Sequence, residues 1–441
     1  MKLTRQIIFL LSFLVCVNSC QKEESETISI NKKQYKEQLK GFWLGQCIAN
    51  WTGLITEMDK IGNLGNIKTG NFYTRKDWGS KDIPNIWGEK KDSLSDIIEF
   101  IFKDTNEIWG SDDDTDIEYM YQYLLLDNNT PNLTPLQIKN GWLKHIKSEE
   151  ENYLWVSNQK AFDLMKKGIL PPKTGSPENN EFYDMIDAQL TTEIFGLYAP
   201  TRPDIASKIA KLPIQTTANG NAEDIAQFYV KIHALASIGS ISSTPNPILT
   251  KSIINNCAHE ARKSLPDYYF PAKMYDYVYA LYKSGIPWEQ TRDSIYVRYQ
   301  VKQMDGYSVT SRNLYCNGCF AAGINFAASL VSLFYGEGNL KETIKIGSLC
   351  GWDSDNPTAT WGGLIGFVIG KKGIEDVFGR KFSNKFNIHR TRQNFPYDGI
   401  DNFDNMAENG IKVIEKLMLK EMEAKLNKEK TCWIIPFKSN N

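Results

Sequence analysis

The chain has 441 residues and no excess of charge of either sign, with 51 lysines and arginines against 52 aspartates and glutamates. Binding to nucleic acid or to an anionic membrane surface by electrostatics needs a basic patch, and a formal net charge of −1 supports neither. Histidine is scarce too. The four histidines show no ligand spacing, so we expect no histidine-based nucleophilic triad; they are His145, His233, His259 and His389.

Cysteine is too sparse, at 8 residues, for a scaffold built on disulfides. Cys316 and Cys319 form a CxxC pair, which occurs in zinc sites and in redox proteins. No second CxxC accompanies the pair, so we interpret these cysteines as buried thiols or as one structural bridge. The sequence does not decide between the two.

Hydrophobic runs long enough to span a membrane are absent at the N-terminus. The apolar run from Ile7 to Val17 is too short, follows the basic Lys2 and Arg5, and ends just before Cys20. This pattern resembles a bacterial lipoprotein signal, with an ordinary secretory signal or a short anchor as the alternative. We therefore expect a signal peptide at 1–19, lipidation of Cys20, a polar tether at 20–30 and an envelope location, at the outer membrane and its surface.

Helical patterns dominate the rest of the chain, and neither a fixed-period repeat nor a clear linker interrupts 31–441. Tyr35 to Trp51 has apolar residues at helical spacing, with Gly41 and Gly45 four apart for close packing. Helices are also predicted from Gly318 to Phe334 and from Asn405 to Leu426, and Thr134 is expected to cap a helix through Ile146. Strand signals are few, and Trp433 to Phe437 is the best of them. These patterns predict one large, mostly α-helical domain.

Two short acidic clusters are the most informative feature, and more than two hundred residues separate them. The first is Ser111–Asp116 (SDDDTD) and the second is Gly351–Asn356 (GWDSDN). Adjacent carboxylates repel one another, and gathering several in one site is costly unless a cation or protons neutralise them. Oxygen ligands suit hard cations such as Mg²⁺, Mn²⁺ or Ca²⁺. If the fold brings the clusters together, they predict a divalent-metal site that holds two ions.

Helix capping is the simpler explanation, because acidic side chains favour helix N-termini. Capping needs one or two acids, whereas Asp112 to Asp116 contains four in five positions. An EF-hand is excluded, because Ile117 stands where glycine is required and Tyr123 where glutamate is required. Pro357 suits the first turn of a helix that follows the second cluster. Both clusters are therefore predicted at helix N-termini that face a shared space.

The segments WGSDDDTDIEYM (109–120) and GWDSDNPTATWGGLIG (351–366) resemble the two signature motifs of the ADP-ribosylglycohydrolase family. The resemblance extends over about residues 35–370. It includes Gly41 to Gly45 with the later Glu57, and a middle segment that begins at Asp187. It implies an all-α fold, a single orthogonal helical bundle with long loops around a two-magnesium centre.

Carried over residue by residue, the resemblance implies metal ligands in both clusters. Asp112 stands where the family usually has threonine or serine, and Asn356 stands where it has a hydroxyl residue. Gln46 replaces an aspartate common after the glycine of the first helix. The implied ligands are Asp112, Asp113, Asp114, Asp353, Asp355 and Asn356.

The chemistry that the resemblance implies is hydrolysis of a glycosidic bond, with two cations, Mg²⁺ first, holding a ribose-like sugar and the attacking water. Asp114 or Asp355 is expected to take the proton of the water, and Glu57 to protonate the leaving group or position the sugar. Aromatics of the 60–97 loop are further stacking candidates. For Asp187 and Gln189 a hydrogen-bond pair at a helix N-terminus is the alternative. The expected substrate contacts are Asp187, Gln189, Asn219, Gly220 and Trp352.

Three functions stay open at this stage. The favoured one is a metal-dependent hydrolase of an N- or O-glycosyl bond in a small molecule or glycan that contains a ribose-like sugar. The second is a non-catalytic, carbohydrate-binding surface lipoprotein with a structural cation. The third is a hydrolase of ADP-ribosyl acceptors outside the cell. Retention of both acidic motifs favours an enzyme, and an exported chain argues against intracellular ADP-ribosylated substrates.

Overall fold

The computed structural model describes residues 27–90, 94–148, 152–237 and 247–436. The predicted signal at 1–19 and the lipidation site Cys20 lie outside these ranges. Within them, no helix has both the length and the apolar character that crossing a membrane requires. Helices make up most of the described chain and strands are short, which confirms the predicted all-α class.

The α-helices of the described chain run in the following order: α1 (Lys32–Gly53), α2 (Asp113–Asp127), α3 (Pro135–His145), α4 (Val156–Lys166), α5 (Asp187–Leu190), α6 (Ile194–Tyr198), α7 (Pro203–Ile214), α8 (Asn221–Ala236), α9 (Pro247–Arg262), α10 (Phe270–Lys283), α11 (Trp288–Ile295), α12 (Ala322–Tyr335), α13 (Leu340–Cys350), α14 (Asp355–Phe378) and α15 (Phe403–Glu421). The strands are β1 (Thr27–Asn31), β2 (Lys385–Asn387), β3 (Ile400–Asn402), β4 (Lys425–Leu426) and β5 (Cys432–Pro436).

The helices α1 and α14 form the central pair and make the most extensive helix–helix contact of the described chain. Glycines line the seam, so the two backbones approach without side chains between them. A Cβ atom on Gly45 would overlap the carbonyl oxygen of Gly362, and one on Gly41 would overlap that of Gly366. The predicted close-packing role of Gly41 and Gly45 is therefore confirmed. This contact sets the position of the N-terminus of α14, where the second acidic cluster lies.

Replacing Gly45 by alanine is expected to lower the free energy of unfolding by about 1–3 kcal/mol, because α1 and α14 must move apart to admit the methyl group. Thermal unfolding followed by circular dichroism measures the effect. Lys33→Ala is the control, because Lys33 is an exposed residue of the same helix and surface substitutions usually change stability by less than about 0.5 kcal/mol. Equal melting temperatures for Gly45→Ala and Lys33→Ala would contradict the packing account.

Several predicted element boundaries need correction. The helix expected to begin at Gly318 begins at Ala322, because Cys316, Asn317 and Gly318 have positive φ angles. The helix expected to end at Leu426 ends at Glu421, and the chain turns into β4. The helices α4 and α10 were not predicted. Thr134 caps α3 as expected, with its hydroxyl accepting a hydrogen bond from the Gln137 amide.

The N-terminal tether prediction for 20–30 is wrong at its C-terminal end. Thr27 to Asn31 form β1, which pairs antiparallel with β5 and places Ile30 opposite Trp433. Ile30 is buried, so apolar residues at alternate positions supply the burial that a flexible tether lacks. The strand β4 pairs with the other edge of β5, and β2 and β3 form a separate antiparallel pair.

Candidate metal centre

The two acidic clusters lie at helix N-termini, as predicted. Asp112 is the N-cap of α2, and its carboxylate accepts a hydrogen bond from the Asp114 amide at 3.3 Å. Asp355 is the first residue of α14. Both helices therefore direct the positive ends of their dipoles at the acidic groups, which favours the ionised carboxylates there.

The structure gathers the acids into two sets of three. In the first set, Glu57, Asp353 and Asp355 each offer a carboxylate oxygen, and these atoms lie within 4.8 Å of one another. In the second set, Asp112, Asp113 and Asp114 do the same. Each set has the number and spacing of oxygen ligands that a hard divalent cation can bridge.

Two asparagines bring the sets together. The Nδ2 atom of Asn50 lies 3.4 Å from Oδ2 of Asp114 and 3.5 Å from Oδ2 of Asp355, so it contacts both sets at once. The Nδ2 atom of Asn356 donates to Oδ1 of Asp114 at 3.0 Å, and Gln189 donates to Asn356 at 3.1 Å. The two clusters, distant in sequence, therefore form one continuous centre.

Glu57 reaches this centre because the turn after α1 is hydrogen-bonded to the second cluster. The Met58 amide donates to the Trp352 carbonyl at 2.8 Å, and the Trp352 amide donates to the Lys60 carbonyl at 2.8 Å. The hydroxyls of Thr56 and Ser354 lie 3.0 Å apart in the same region. These bonds fix the backbone on both sides of Glu57 beside Asp353.

Two glycines permit this close approach. A Cβ atom on Gly53 would lie 2.5 Å from the Cα atom of Asp355. Gly351 has a φ angle of +94°, and a Cβ atom there would overlap the Lys60 carbonyl oxygen. Glycine tolerates such backbone conformations and contacts, whereas a side chain would separate Glu57 from the second cluster.

Burial and like charge disfavour ionisation of the acids. The pKa values of Asp112, Asp113, Asp114 and Asp353 are raised well above the ordinary aspartate value, first by burial and then by neighbouring carboxylates. Among the described residues, no lysine or arginine forms an ion pair with these four acids or with Asp355. The centre therefore needs protons or cations to neutralise it.

The donor chemistry fits a hard divalent cation. Oδ1 of Asp355 is buried and has no hydrogen-bond partner within the described part of the chain. An unpartnered carboxylate oxygen in a protein interior is costly unless a ligand engages it. The other donors of the two sets are carboxylate oxygens, without sulfur or imidazole, which suits Mg²⁺, Mn²⁺ or Ca²⁺ rather than zinc.

Asp116, the last acid of the first cluster, is not part of the centre. Its carboxylate forms a buried ion pair with Arg392, with 2.9 Å between Oδ2 and Nε. Burial raises the pKa of Asp116 to about 6, and Arg392 opposes that rise. This residue therefore holds the chain near Arg392 against α2.

The structure corrects the substrate prediction for Trp352. Its side chain is fully buried, packs on Phe72 with ring centroids 4.8 Å apart, and donates from Nε1 to Gln300 at 2.8 Å. No face of the indole is left for a sugar. Trp352 instead packs in the core and helps to hold the backbone of the second acidic cluster in place.

The other predicted substrate contacts have mainly structural partners. Asp187 is buried and accepts hydrogen bonds from the Ser157 hydroxyl at 2.7 Å and the Asn158 amide at 3.0 Å, which is the helix N-terminus alternative. Gln189 is buried against Asn356, as described above. Asn219 and Gly220 form the turn before α8, and the Asn219 amide donates to the Tyr183 carbonyl. No hydrogen bond among the described residues joins this turn to the acids.

Sequence reasoning missed Asn50 and Asn325. Asn325 accepts a hydrogen bond from the Asp353 amide at 3.2 Å and donates to the Cys319 carbonyl at 2.8 Å. Both asparagines are buried on helices, so an unexplained polar residue in a buried helical position was the available signal.

Cys316 and Cys319 form a disulfide, so of the two interpretations that the sequence left open, buried thiols or one structural bridge, the bridge is correct.

A protein-family model covers both acidic motifs. The model of the ADP-ribosylglycohydrolase family matches residues 31–399. A solved structure described as an "ADP-ribosylglycohydrolase-related protein complex" is similar at 13% sequence identity, with 87% of this chain and 99% of that chain covered and a TM-score of 0.43. No curated protein matches the chain significantly.

Proposed function

Because the chain belongs to the ADP-ribosylglycohydrolase family, we propose that it is a divalent-metal-dependent hydrolase of an N- or O-glycosyl bond. The observation that carries the proposal is the convergence of two sets of three acids around Asn50. We further propose two Mg²⁺ ions as the native cofactors. Glu57, Asp353 and Asp355 would hold one ion, and Asp112 to Asp114, supported by Asn356, would hold the other.

Hard cations bound here would lower the pKa of a water molecule and orient the hydroxyls of the sugar. The protein supplies the remaining groups. Asp355 is the better candidate for the base that accepts the proton of the water, because its Oδ1 has no hydrogen-bond partner among the described residues. Both oxygens of Asp114 already contact asparagine side chains, so Asp114 acts as a ligand in this proposal.

Glu57 is the proposed acid for the leaving group. It is partly exposed at the edge of the centre, whereas Asp353 and Asp355 are buried, so it can exchange protons with solvent between turnovers. The turn that carries it is fixed to Trp352 by two backbone hydrogen bonds, which keeps its carboxylate near Asp353. A fixed acid beside the bond to be cleaved is the arrangement that general acid catalysis requires.

The proposed substrate is a small molecule or glycan with a ribose-like sugar. The proposed location is the cell envelope, through a lipid on Cys20 at the end of a signal formed by Lys2, Arg5 and the apolar run Ile7 to Val17. An exported enzyme meets glycans, glycosides and nucleosides rather than intracellular ADP-ribosylated proteins. The membrane contact in this proposal is the N-terminal lipid alone.

Sugar release tests the proposal. The purified protein is incubated with ADP-ribosyl conjugates, nucleosides and oligosaccharides, with Mg²⁺ or with chelator, and products are read by mass spectrometry. We expect release that requires both the cation and Asp353, so Asp353→Asn is inactive. Absence of release, together with stoichiometric cation binding, would favour the non-catalytic carbohydrate-binding lipoprotein instead.

A further inference from the structure

Four aromatic residues, Trp87, Trp155, Tyr315 and Phe320, form a group of nearly parallel rings that we call the aromatic wall. The Trp87 ring is inclined by 24° to Trp155, 19° to Tyr315 and 24° to Phe320, with centroid distances of 6.2, 6.4 and 6.3 Å. The Tyr315 and Phe320 rings differ by 12°. Trp87 also donates from Nε1 to the Tyr315 hydroxyl.

Two of the four rings of the wall, those of Tyr315 and Trp155, are exposed to solvent. Tyr315 is 51% exposed and Trp155 is 46% exposed, whereas Phe320 is buried behind them at 5%. Contiguous exposed aromatic surface is uncommon in a folded protein and marks binding sites. The exposed indole and phenol rings offer a ligand a large apolar surface next to a polar N–H or O–H group.

Hydrogen bonds connect the wall to the acidic centre through Trp87. The amide of Ile86, the residue before Trp87, donates to the Met58 carbonyl at 3.2 Å. Met58 directly follows Glu57, the proposed acid. Trp87 is therefore linked to the turn that positions Glu57, the proposed acid for the leaving group.

A second connection runs through the disulfide loop. Cys316 and Cys319 close a short loop that Tyr315 and Phe320 flank on either side. The Cys319 carbonyl accepts a hydrogen bond from Asn325, and Asn325 accepts one from the Asp353 amide. The bridge thus limits the movement of two wall residues relative to the second acidic cluster.

Trp155 belongs to a third segment of the chain that contributes to the wall. It is the N-cap residue of α4. The first turn of that helix donates the Ser157 and Asn158 amides to Asp187. Asp187 begins α5, and Gln189 of the same helix donates to Asn356, which donates to Asp114 of the second acidic set. The wall is therefore linked to both acidic sets through hydrogen bonds and short stretches of chain.

We propose that the aromatic wall is a subsite that stacks a neutral sugar ring on the leaving-group side of the bond that the centre cleaves. This inference rests on the proposed hydrolase function. The C–H faces of a sugar ring are apolar and flat enough to stack on indole and phenol rings, while its hydroxyls point outward to water. The substrate class that follows is an oligosaccharide rather than a single glycoside.

Charge favours a neutral ring over a nucleotide. Two arginines that could otherwise bind a diphosphate group are engaged by carboxylates, with Arg312 paired to Asp184 and Arg392 paired to Asp116. Arg390 lies over the ring of Tyr153, two residues before Trp155, and donates to the Tyr153 hydroxyl at 2.8 Å. A nucleotide would need this arginine, whereas a neutral saccharide would not.

Calorimetric titration in chelator tests the subsite without turnover. The probes are neutral hexasaccharides of glucose, xylose and arabinose, with ADP-ribose as the anionic probe. We expect one hexasaccharide to bind, and Trp155→Ala and Tyr315→Ala each to weaken binding about tenfold, because each removes one stacked ring. Tyr268→Ala is the matched control, because Tyr268 is 70% exposed and lies outside the wall. Arg390→Ala is expected to leave saccharide binding unchanged.

Three results would overturn the inference. The first is that no hexasaccharide binds at concentrations up to about 10 mM, where even weak complexes form. The second is that Trp155→Ala binds the hexasaccharide as tightly as the wild type and has an unchanged melting temperature. The third is that only ADP-ribose binds and that its binding depends on Arg390. Adding Mg²⁺ separates the two proposals. Saccharide binding without sugar release would support the subsite and refute the hydrolase. Sugar release that is unaffected by Trp155→Ala would support the hydrolase and refute the subsite.

Discussion

Asp355→Asn is expected to lower kcat by at least about 10³-fold, because it removes a cation ligand and the proposed base, which together account for several kcal/mol of transition-state stabilisation. The folded structure should survive, since asparagine has the same shape and the change removes one of several mutually repelling carboxylates. Steady-state kinetics on the substrate identified by the release screen measures kcat. The melting temperature in chelator shows whether the variant is folded.

Asp376→Asn is the matched control for this substitution. Asp376 lies on the same helix, α14, is half exposed, and pairs with Lys372 at 2.6 Å. Surface ion pairs of this kind contribute little to stability, and Asp376 is remote in sequence from the acidic clusters. We therefore expect wild-type turnover from Asp376→Asn. An Asp355→Asn enzyme that retained wild-type kcat would refute the assignment of this centre as catalytic.

Mg²⁺ is expected to raise the melting temperature of the chelated protein, and to raise it more as the pH increases. A ligand at about 100 times its dissociation constant stabilises a protein by about 2.7 kcal/mol, which corresponds to several degrees. The pH dependence follows from the raised pKa values of Asp112, Asp113, Asp114 and Asp353.

The sign of this pH effect follows from proton binding in the two states. Because the pKa of each acid is higher in the folded, cation-free protein than in the unfolded chain, the folded state binds more protons between the two pKa values. Stability of the chelated protein therefore falls as the pH rises above about 4, the ordinary carboxylate range. A bound cation replaces those protons and removes the loss.

Thermal melts at about pH 5 and pH 8, with and without Mg²⁺, measure this difference. The double variant Asp113→Asn, Asp353→Asn serves as the control, because it removes one acid from each set and should lose both the cation effect and much of the pH effect. If Mg²⁺ left the melting temperature of the wild-type protein unchanged at both pH values, the acids would not bind Mg²⁺.

The sequence predicted the local features of the site well. The acidic runs, Pro357 and the apolar patterns around them placed two helix N-termini correctly, and the spacing of Gly41 and Gly45 identified a close-packed face. Such features depend on residues within one or two turns of a helix. The acidic patterns also predicted that the two N-termini face a shared space, and the family resemblance strengthened that prediction. The structure shows the physical basis of this proximity in the glycine seam between α1 and α14.

What the sequence did not predict depends on contacts between distant segments. Trp352 is adjacent to Asp353 in sequence, but positive φ angles at Gly351 and Trp352 accompany an indole directed at Gln300 rather than into the centre. Asn50 is one polar residue on a buried helix, and only the fold reveals that it contacts both acidic sets. The aromatic wall combines residues from two separate loops and one helix cap, so no window of sequence contains its pattern.

A calorimetric titration with Mn²⁺ tests the central claim most directly, because it asks whether two acidic clusters far apart in sequence act as one cation centre. We expect about two ions per chain, as in two-metal hydrolytic sites, and weaker binding in Asp113→Asn and in Asp355→Asn. We also expect losses in the double variant that differ from the sum of the single losses, because the sites are in contact. Wild-type Mn²⁺ binding by either single variant would contradict the account.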